Sequence, residues 1–400
     1  MALRIISIIV LGTVINIWIA LSPSILGALV DYQGLRIDAA GRLISYNILG
    51  TTVATVLAIY IVHRPGANLR LMMFVCVFLV IITSGASVWF AGDFTALSVV
   101  RFINGLGAGL GFTVSTVAAI GTPNITRTYA ILYGSAFLVG GIGLALLPYV
   151  YEFAGIEGAF YGMGLINLLA CGLLPFFPKK ISQEESIAEK PRLQLDRVFI
   201  LMSGLVFGAL FLHYLFNSGI WTYFERLGVA AGMSAKTTGA ILGSSTLAAI
   251  LGMIAASILG NRFGYLRPIY MGTATITIAT LSLFYSSSEL VFAIGTALFN
   301  ASITFVTPYF IAILANLIPK GLGVSTANVV TIAGYAAGPF LVSFMVANND
   351  FRLSIFLTAF GFIVVYAMVV FFSRILRREA DGYTELKESC EIQSYRESYD

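Results

Sequence analysis

The feature that most constrains this chain is a succession of twelve long stretches almost free of charge, separated by short polar breaks. They lie near residues 5–30, 42–62, 69–91, 95–120, 128–150, 158–178, 198–224, 236–260, 267–287, 289–317, 321–347 and 352–373. A bilayer crossing takes about 20 mostly apolar residues in helical form. The lengths therefore predict an all-α membrane protein of 12 transmembrane helices. Composition agrees, since only 10% of the residues are charged and an ordinary soluble domain carries about a quarter. The first stretch follows a lone Arg4 and has no small-residue cleavage pattern, so it is read as a retained span.

The Lys and Arg residues give an orientation, because positive loops stay in the cytoplasm. With the amino terminus inside, 17 of them fall in cytoplasmic segments, 5 in outer ones, and Arg101 remains within the membrane. Both termini are expected on the cytoplasmic face of the cell inner membrane. The net charge of +4 is thus a topological signal and not a nucleic-acid signal. The expected units are residues 1–178, a polar cytoplasmic linker over 179–197, residues 198–373, and a polar cytoplasmic tail over 374–400.

The two large units are repeats of one another. Gly34 recurs as Gly232, Gly41 as Gly239, Arg64 as Arg262 and Gly66 as Gly264, each pair 198 residues apart. One offset held through a loop, a span and the next loop predicts two pseudo-symmetric six-helix bundles. In repeat-built transporters the solute path lies between the repeats near the membrane midplane.

Several chemistries are excluded. Cys76, Cys171 and Cys390 have no ligand spacing, so no metal site or disulfide framework is expected. Gly105, Gly107, Gly109 and Gly111 follow no strand and precede no Lys-Ser or Lys-Thr, so they are a helix-packing surface and not a phosphate loop. With two histidines in all, His63 and His213, no catalytic constellation is visible. No enzyme activity and no cofactor are expected.

Two intramembrane groups stand out. Arg101 in the fourth span must face the protein interior or snorkel to the nearer interface; intramembrane ionisable residues are functional candidates by default. In the seventh span His213, Asn217 and Trp221 recur at helical spacing and share a face. His213 is either a proton carrier or a neutral histidine held by a neighbour. No span holds an Asp or Glu near its centre. A buried Arg without a buried acid suits an anionic or zwitterionic solute.

The chain resembles the major facilitator superfamily over residues 5–373, a bacterial transporter of unidentified subfamily. Arg101-Phe102-Ile103-Asn104-Gly105-Leu106-Gly107 is similar to that family's Arg, two residues, Gln, Gly, one residue, Gly. The loops His63-Arg64-Pro65-Gly66 and Asn261-Arg262-Phe263-Gly264 keep the Arg and Gly of its gating loop and lack the acidic residue. The resemblance implies gating roles for Arg64, Gly66, Arg262 and Gly264. It also implies a cavity lined by spans one, four, seven and ten. That adds Asn16, Trp18, Asn300, Thr304 and Tyr309 to Arg101, Asn104, His213, Asn217 and Trp221, each a substrate or coupling contact or an interhelical fastener. The expected function is secondary active transport of a small organic solute by alternating access, coupled to protons if coupled at all. The chain would act as a monomer among membrane lipid, with no nucleic acid bound. The alternative is a transporter-like sensor or scaffold signalling through its tail.

Overall fold

The computed structural model describes residues 1–62, 64, 66–180, 197–318, 322–346 and 350–397. His63, Lys320 and residues 181–196 of the expected linker lie outside that set. Among the described residues there is no strand. The helices of the amino-terminal half are α1 (Ala2–Ile15), α2 (Ile17–Asp31), α3 (Ile37–Ile61), α4 (Leu69–Trp89), α5 (Phe94–Ile120) and α6 (Ile125–Ala170). Those of the carboxy-terminal half are α7 (Arg197–Thr222), α8 (Phe224–Ala230), α9 (Ala235–Leu259), α10 (Leu266–Ser282), α11 (Glu289–Leu317), α12 (Leu322–Ser343) and α13 (Arg352–Glu397).

Eight stretches of described helix are long and apolar enough to cross a membrane. Their outward faces carry large apolar side chains, with Leu251 65% and Ile278 66% exposed. Surface of that kind on this scale belongs in lipid and not in water.

Local chemistry explains the element boundaries. The Asp93 carboxylate accepts from the amides of Thr95 and Ala96 and opens α5, while Ser234 accepts from Thr237 and opens α9. The first apolar stretch forms two helices that meet at Asn16, where φ is −111° and ψ is 17°. Pro23 inside α2 cannot donate to the carbonyl of Ile19, and the Ser22 hydroxyl donates to that carbonyl instead at 2.9 Å. The fifth and sixth stretches run on as α6, broken at Ala154 and at Gly155, whose φ is +59°. The segment expected as a polar tail continues α13 as helix to Glu397.

The internal repeat reappears in the backbone. Helices α3 and α9 both have 25 residues, and their first residues are Ile37 and Ala235, one repeat length apart. Gly34 and Gly232 both take positive φ, 64° and 97°, as do Gly66 and Gly264 at 83° and 70°. The span-four glycines pack as their spacing predicted. A Cβ on Gly105 or Gly109 would strike the backbone of α3 at Asn47 or Thr51, and one on Gly111 would strike Ile15.

The packed interior is divided unevenly. One apolar core draws on both halves, from Trp18, Leu26, Leu43 and Phe160 to Tyr223, Phe224, Phe299 and Phe362. Two further cores each belong to one half. The first runs from Ile8 and Leu11 through Met73 and Val114 to Phe177, and the second from Met202 and Leu210 through Phe310 and Leu314 to Phe372. The halves thus share a core at the end carrying Asp31 and have separate cores at the end carrying the linker.

Candidate functional site

Contacts between the halves are concentrated from mid-depth to the Asp31 end. Along α3 and α12 the Thr52 hydroxyl donates to the Ile332 carbonyl at 3.2 Å, and the Tyr223 hydroxyl lies against Gly41. Along α6 and α9, Gly141 meets Gly243, and Leu144 and Pro148 meet Gly239. At the far end two ion pairs bridge the halves, Arg226 to Asp31 at 2.6 Å and Lys236 to Glu152 at 2.8 Å. Toward the linker end α6 draws away, and a Cβ on Gly134 would meet nothing within 4 Å.

The gap left there is edged by tyrosines. Tyr133 on α6 is 39% exposed and packs edge-on against Phe112 at 5.7 Å. Its ring lies 6.4 Å from that of Tyr129, and it is near enough to Tyr214 of the other half to interact with it electrostatically. Tyr214 shares a hydrogen bond with Thr307 at 2.9 Å and lies 6.5 Å from the Tyr335 ring. Aromatic faces with hydroxyl edges suit a polyhydroxylated solute, which offers both C–H faces and hydrogen-bonding groups.

Arg101 sits inside the amino-terminal half, 1% exposed, and does not snorkel. Its guanidinium donates to Asn104 Oδ1 at 2.7 Å and to Ser87 Oγ at 3.1 Å. The guanidinium carbon lies 3.6 Å from the centroid of the Trp18 ring, which stacks on Phe160 at 6.0 Å. Asn47 donates to both the Arg101 carbonyl and Asn104 Oδ1, and Asn104 donates to Thr83 at 2.8 Å. The oxygens that receive Arg101 are all neutral. Its Nε, Trp18 Nε1 and Asn16 Oδ1 are buried without a partner.

The structure distributes the other sequence candidates without joining them to this network. His213 is fully buried among Tyr214, Phe310 and Phe362, and neither ring nitrogen has a partner. Asn217 and Trp221 are buried on the same helix, Trp221 edge-on to Phe224 at 5.7 Å. Asn300 donates to Ser245 at 3.2 Å, Thr304 to the Ala249 carbonyl at 2.6 Å and Tyr309 to the Ala256 carbonyl at 3.3 Å. Those three fasten α11 to α9 in this conformation. Arg64, Gly66, Arg262 and Gly264 are exposed in matching turns at the linker end.

Asp31, Glu225 and Arg226 fall just outside the apolar stretches 5–30 and 198–224, yet Glu225 and Arg226 are only 4% and 7% exposed. Arg226 donates to Glu225 at 2.6 and 2.8 Å and to Asp31 at 2.6 and 2.7 Å. Asp31 and Glu225 border a cavity of about 160 Å³ lined also by Ser24, Tyr32, Tyr151, Glu152 and Lys236. Helix α8, which carries Glu225, lies between the spans Arg197–Thr222 and Ala235–Leu259. Burial is the largest influence on the Glu225 carboxyl and raises it; Arg226 pulls it back and Asp31 adds to the rise. Glu225 and Arg226 are neighbours in sequence, which reads as a self-neutralising pair. Only the approach of Asp31 from the other half shows otherwise.

The sequence matches the Major Facilitator Superfamily over residues 5–209 and again over 206–390. It is 26% identical over 327 residues to the sialic acid transporter NanX of Escherichia coli (strain K12), covering 75% of this chain and 77% of that one. The fold is similar to that of a nucleoside transporter, NupG, with a TM-score of 0.73 at 10% identity, covering 92% of this chain and 99% of that one. It is similar also to the inward open conformation of the xylose transporter XylE from E. coli, with a TM-score of 0.72 at 14% identity over 93% and 95% of the two chains. A D-xylose-proton symporter gives a TM-score of 0.70 at 16% identity over 92% and 96%.

Proposed function

The chain belongs to the Major Facilitator Superfamily, and on that premise we propose that it carries a small, polyhydroxylated organic acid across the inner membrane by alternating access. It is a multi-pass membrane transporter and not an enzyme. The observation that carries the mechanism is the division of the core, shared by the halves at the Asp31 end and separate at the linker end. Two rigid bundles packed in that way expose a path to one side only, and rocking about the mid-depth contacts would exchange the sides.

The twelve expected spans follow if α1 and α2 form one interrupted crossing, α6 forms two joined at Ala154–Gly155, and α3, α10 and α12 each add one. The cationic loops support a cytoplasmic linker and cytoplasmic termini. The conformation described then faces inward.

Support for the substrate class comes from two directions. The relative named above transports sialic acid, a carboxylated sugar. In this chain the gap is edged by Tyr133, Tyr214 and Tyr335, and Arg101 has no carboxylate partner among the described residues. Arg101 supplies positive potential from within the amino-terminal half, and the tyrosines supply the contact surface. A thermal-shift screen of the detergent-purified protein tests the class, because a ligand of the folded state stabilises it by mass action. Sialic acid and other sugar acids should raise the melting temperature, and neutral sugars should do so less. Stabilisation by cationic solutes alone would sink the reading.

A further inference from the structure

We propose that Asp31 and Glu225, brought onto one guanidinium only when the halves close at the Asp31 end, form a proton-binding site that couples closure to the uptake of one proton. The inference rests on the alternating-access reading. Arg226 carries one positive charge and holds two carboxylates, so the closed cluster has a surplus negative charge. Glu225 is 4% exposed and its carboxylate lies against the α2 backbone at Gly27, where a Cβ would overlap it. Asp31 is 46% exposed at its side chain and adjoins the cavity, which gives water a route to the pair.

Opening at this end removes Asp31 and Gly27 together, since both ride on α2, while Glu225 and Arg226 stay together on α8. What remains on α8 is a neutral one-to-one pair. The two conformations therefore differ in proton affinity, and closure brings a second carboxylate against a buried first one. The proton comes from bulk water and adds to a carboxylate oxygen, with no other bond made or broken. By linkage the protonated form favours closure. The other charged and titratable groups facing the site are Tyr151, Tyr32, Glu152 and Lys236, and the last two already neutralise each other at 2.8 Å. The rise of the Glu225 carboxyl on burial runs in the same direction.

The test reads the gate directly. Spin labels at Arg36→Cys and Ala230→Cys, both exposed at the Asp31 end of opposite halves, report its width in a background without the native cysteines. In nanodiscs the short-distance population should grow as pH falls, with a slope of at most about tenfold per pH unit, that of one proton. Glu225→Gln should hold the short distance even at alkaline pH. Asp31→Asn should lose the pH response and shift toward the long distance. Two distances whose ratio ignores pH in the wild-type chain would overturn the proton site and leave alternating access standing. A single distance under every pH, with or without sugar acid, would overturn alternating access and the site with it. If Glu225→Gln does not elute as a folded species, Asp31→Asn decides the matter, and a retained wild-type slope overturns the site.

Discussion

Arg226 of the carboxy-terminal half clasps Asp31 of the amino-terminal half through two parallel hydrogen bonds of 2.6 and 2.7 Å, across 195 residues of sequence. A bidentate clasp of this kind has geometric specificity as well as charge. Because Asp31 is 46% exposed, its removal should cost closure only about 1 kcal/mol, roughly a fivefold shift toward the open state. Cysteine placed at buried Ser24, on the cavity wall, should be alkylated correspondingly faster in Asp31→Ala than in the parent protein.

Gly27 is the second element of that closure. A side chain there would overlap the Glu225 carboxylate and push it off Arg226, so Gly27→Ala should disfavour closure of the Asp31 end. The expected outcome is reduced transport with an unchanged melting temperature, measured by solute uptake in proteoliposomes. Gly85→Ala is the control, because a Cβ there meets nothing within 4 Å and should stabilise the helix by up to about 1 kcal/mol.

The Arg101 network is the structural centre of the amino-terminal half. Arg101→Ala strips Asn104 and Ser87 of a donor and opens a void under Trp18. A loss of about 2–4 kcal/mol is expected, read as a lower melting temperature in detergent. Arg101→Lys should recover only part of it, since one ammonium cannot reproduce the planar fork that meets two acceptors and stacks on indole.

Substrate affinity should respond to the tyrosines that edge the gap. Tyr133→Phe, at a 39% exposed tyrosine, should weaken a stabilising sugar acid by about 3–10-fold, the net value of one hydrogen bond. Tyr309→Phe should not, because that hydroxyl is spent on the Ala256 carbonyl between α11 and α9. Isothermal titration of the purified variants separates the two outcomes.

Stability should also carry a pH signature from Glu225. Its carboxyl is raised in the folded protein, chiefly by burial, so the folded state favours the protonated form. The associated stability is fully present below the ordinary carboxylate range and is lost as pH rises through the raised value. Melting temperatures across that window should therefore fall faster in the wild-type chain than in Glu225→Gln. Parallel curves for the two proteins would count against it.

Much of the architecture could be read before any coordinates. The apolar stretches and the repeat through Gly34 and Gly232 follow from short-range rules of length and backbone freedom, while desolvation limits Arg101 to the interior or an interface, between which the packing chose. Span seven shows where such rules stop. His213 and Tyr214 are adjacent, about 100° apart around the helix. The structure turns His213 into the carboxy-terminal bundle and sets Tyr214 beside the gap. In lipid both faces of a span are apolar, so the hydrophobic pattern that fixes helix rotation in soluble proteins is weak.

The sequence by itself determined that the chain crosses a membrane many times, that it is built twice over from one unit, and that an arginine lies within one span. Only the tertiary structure decided that Arg226 reaches Asp31, that the halves share a core at one end, and that Arg101 turns inward against Trp18. The first set depends on the free energy of placing local stretches of chain in lipid. The second depends on how rigid helices rotate and dock against partners far away in the chain, which no local pattern records.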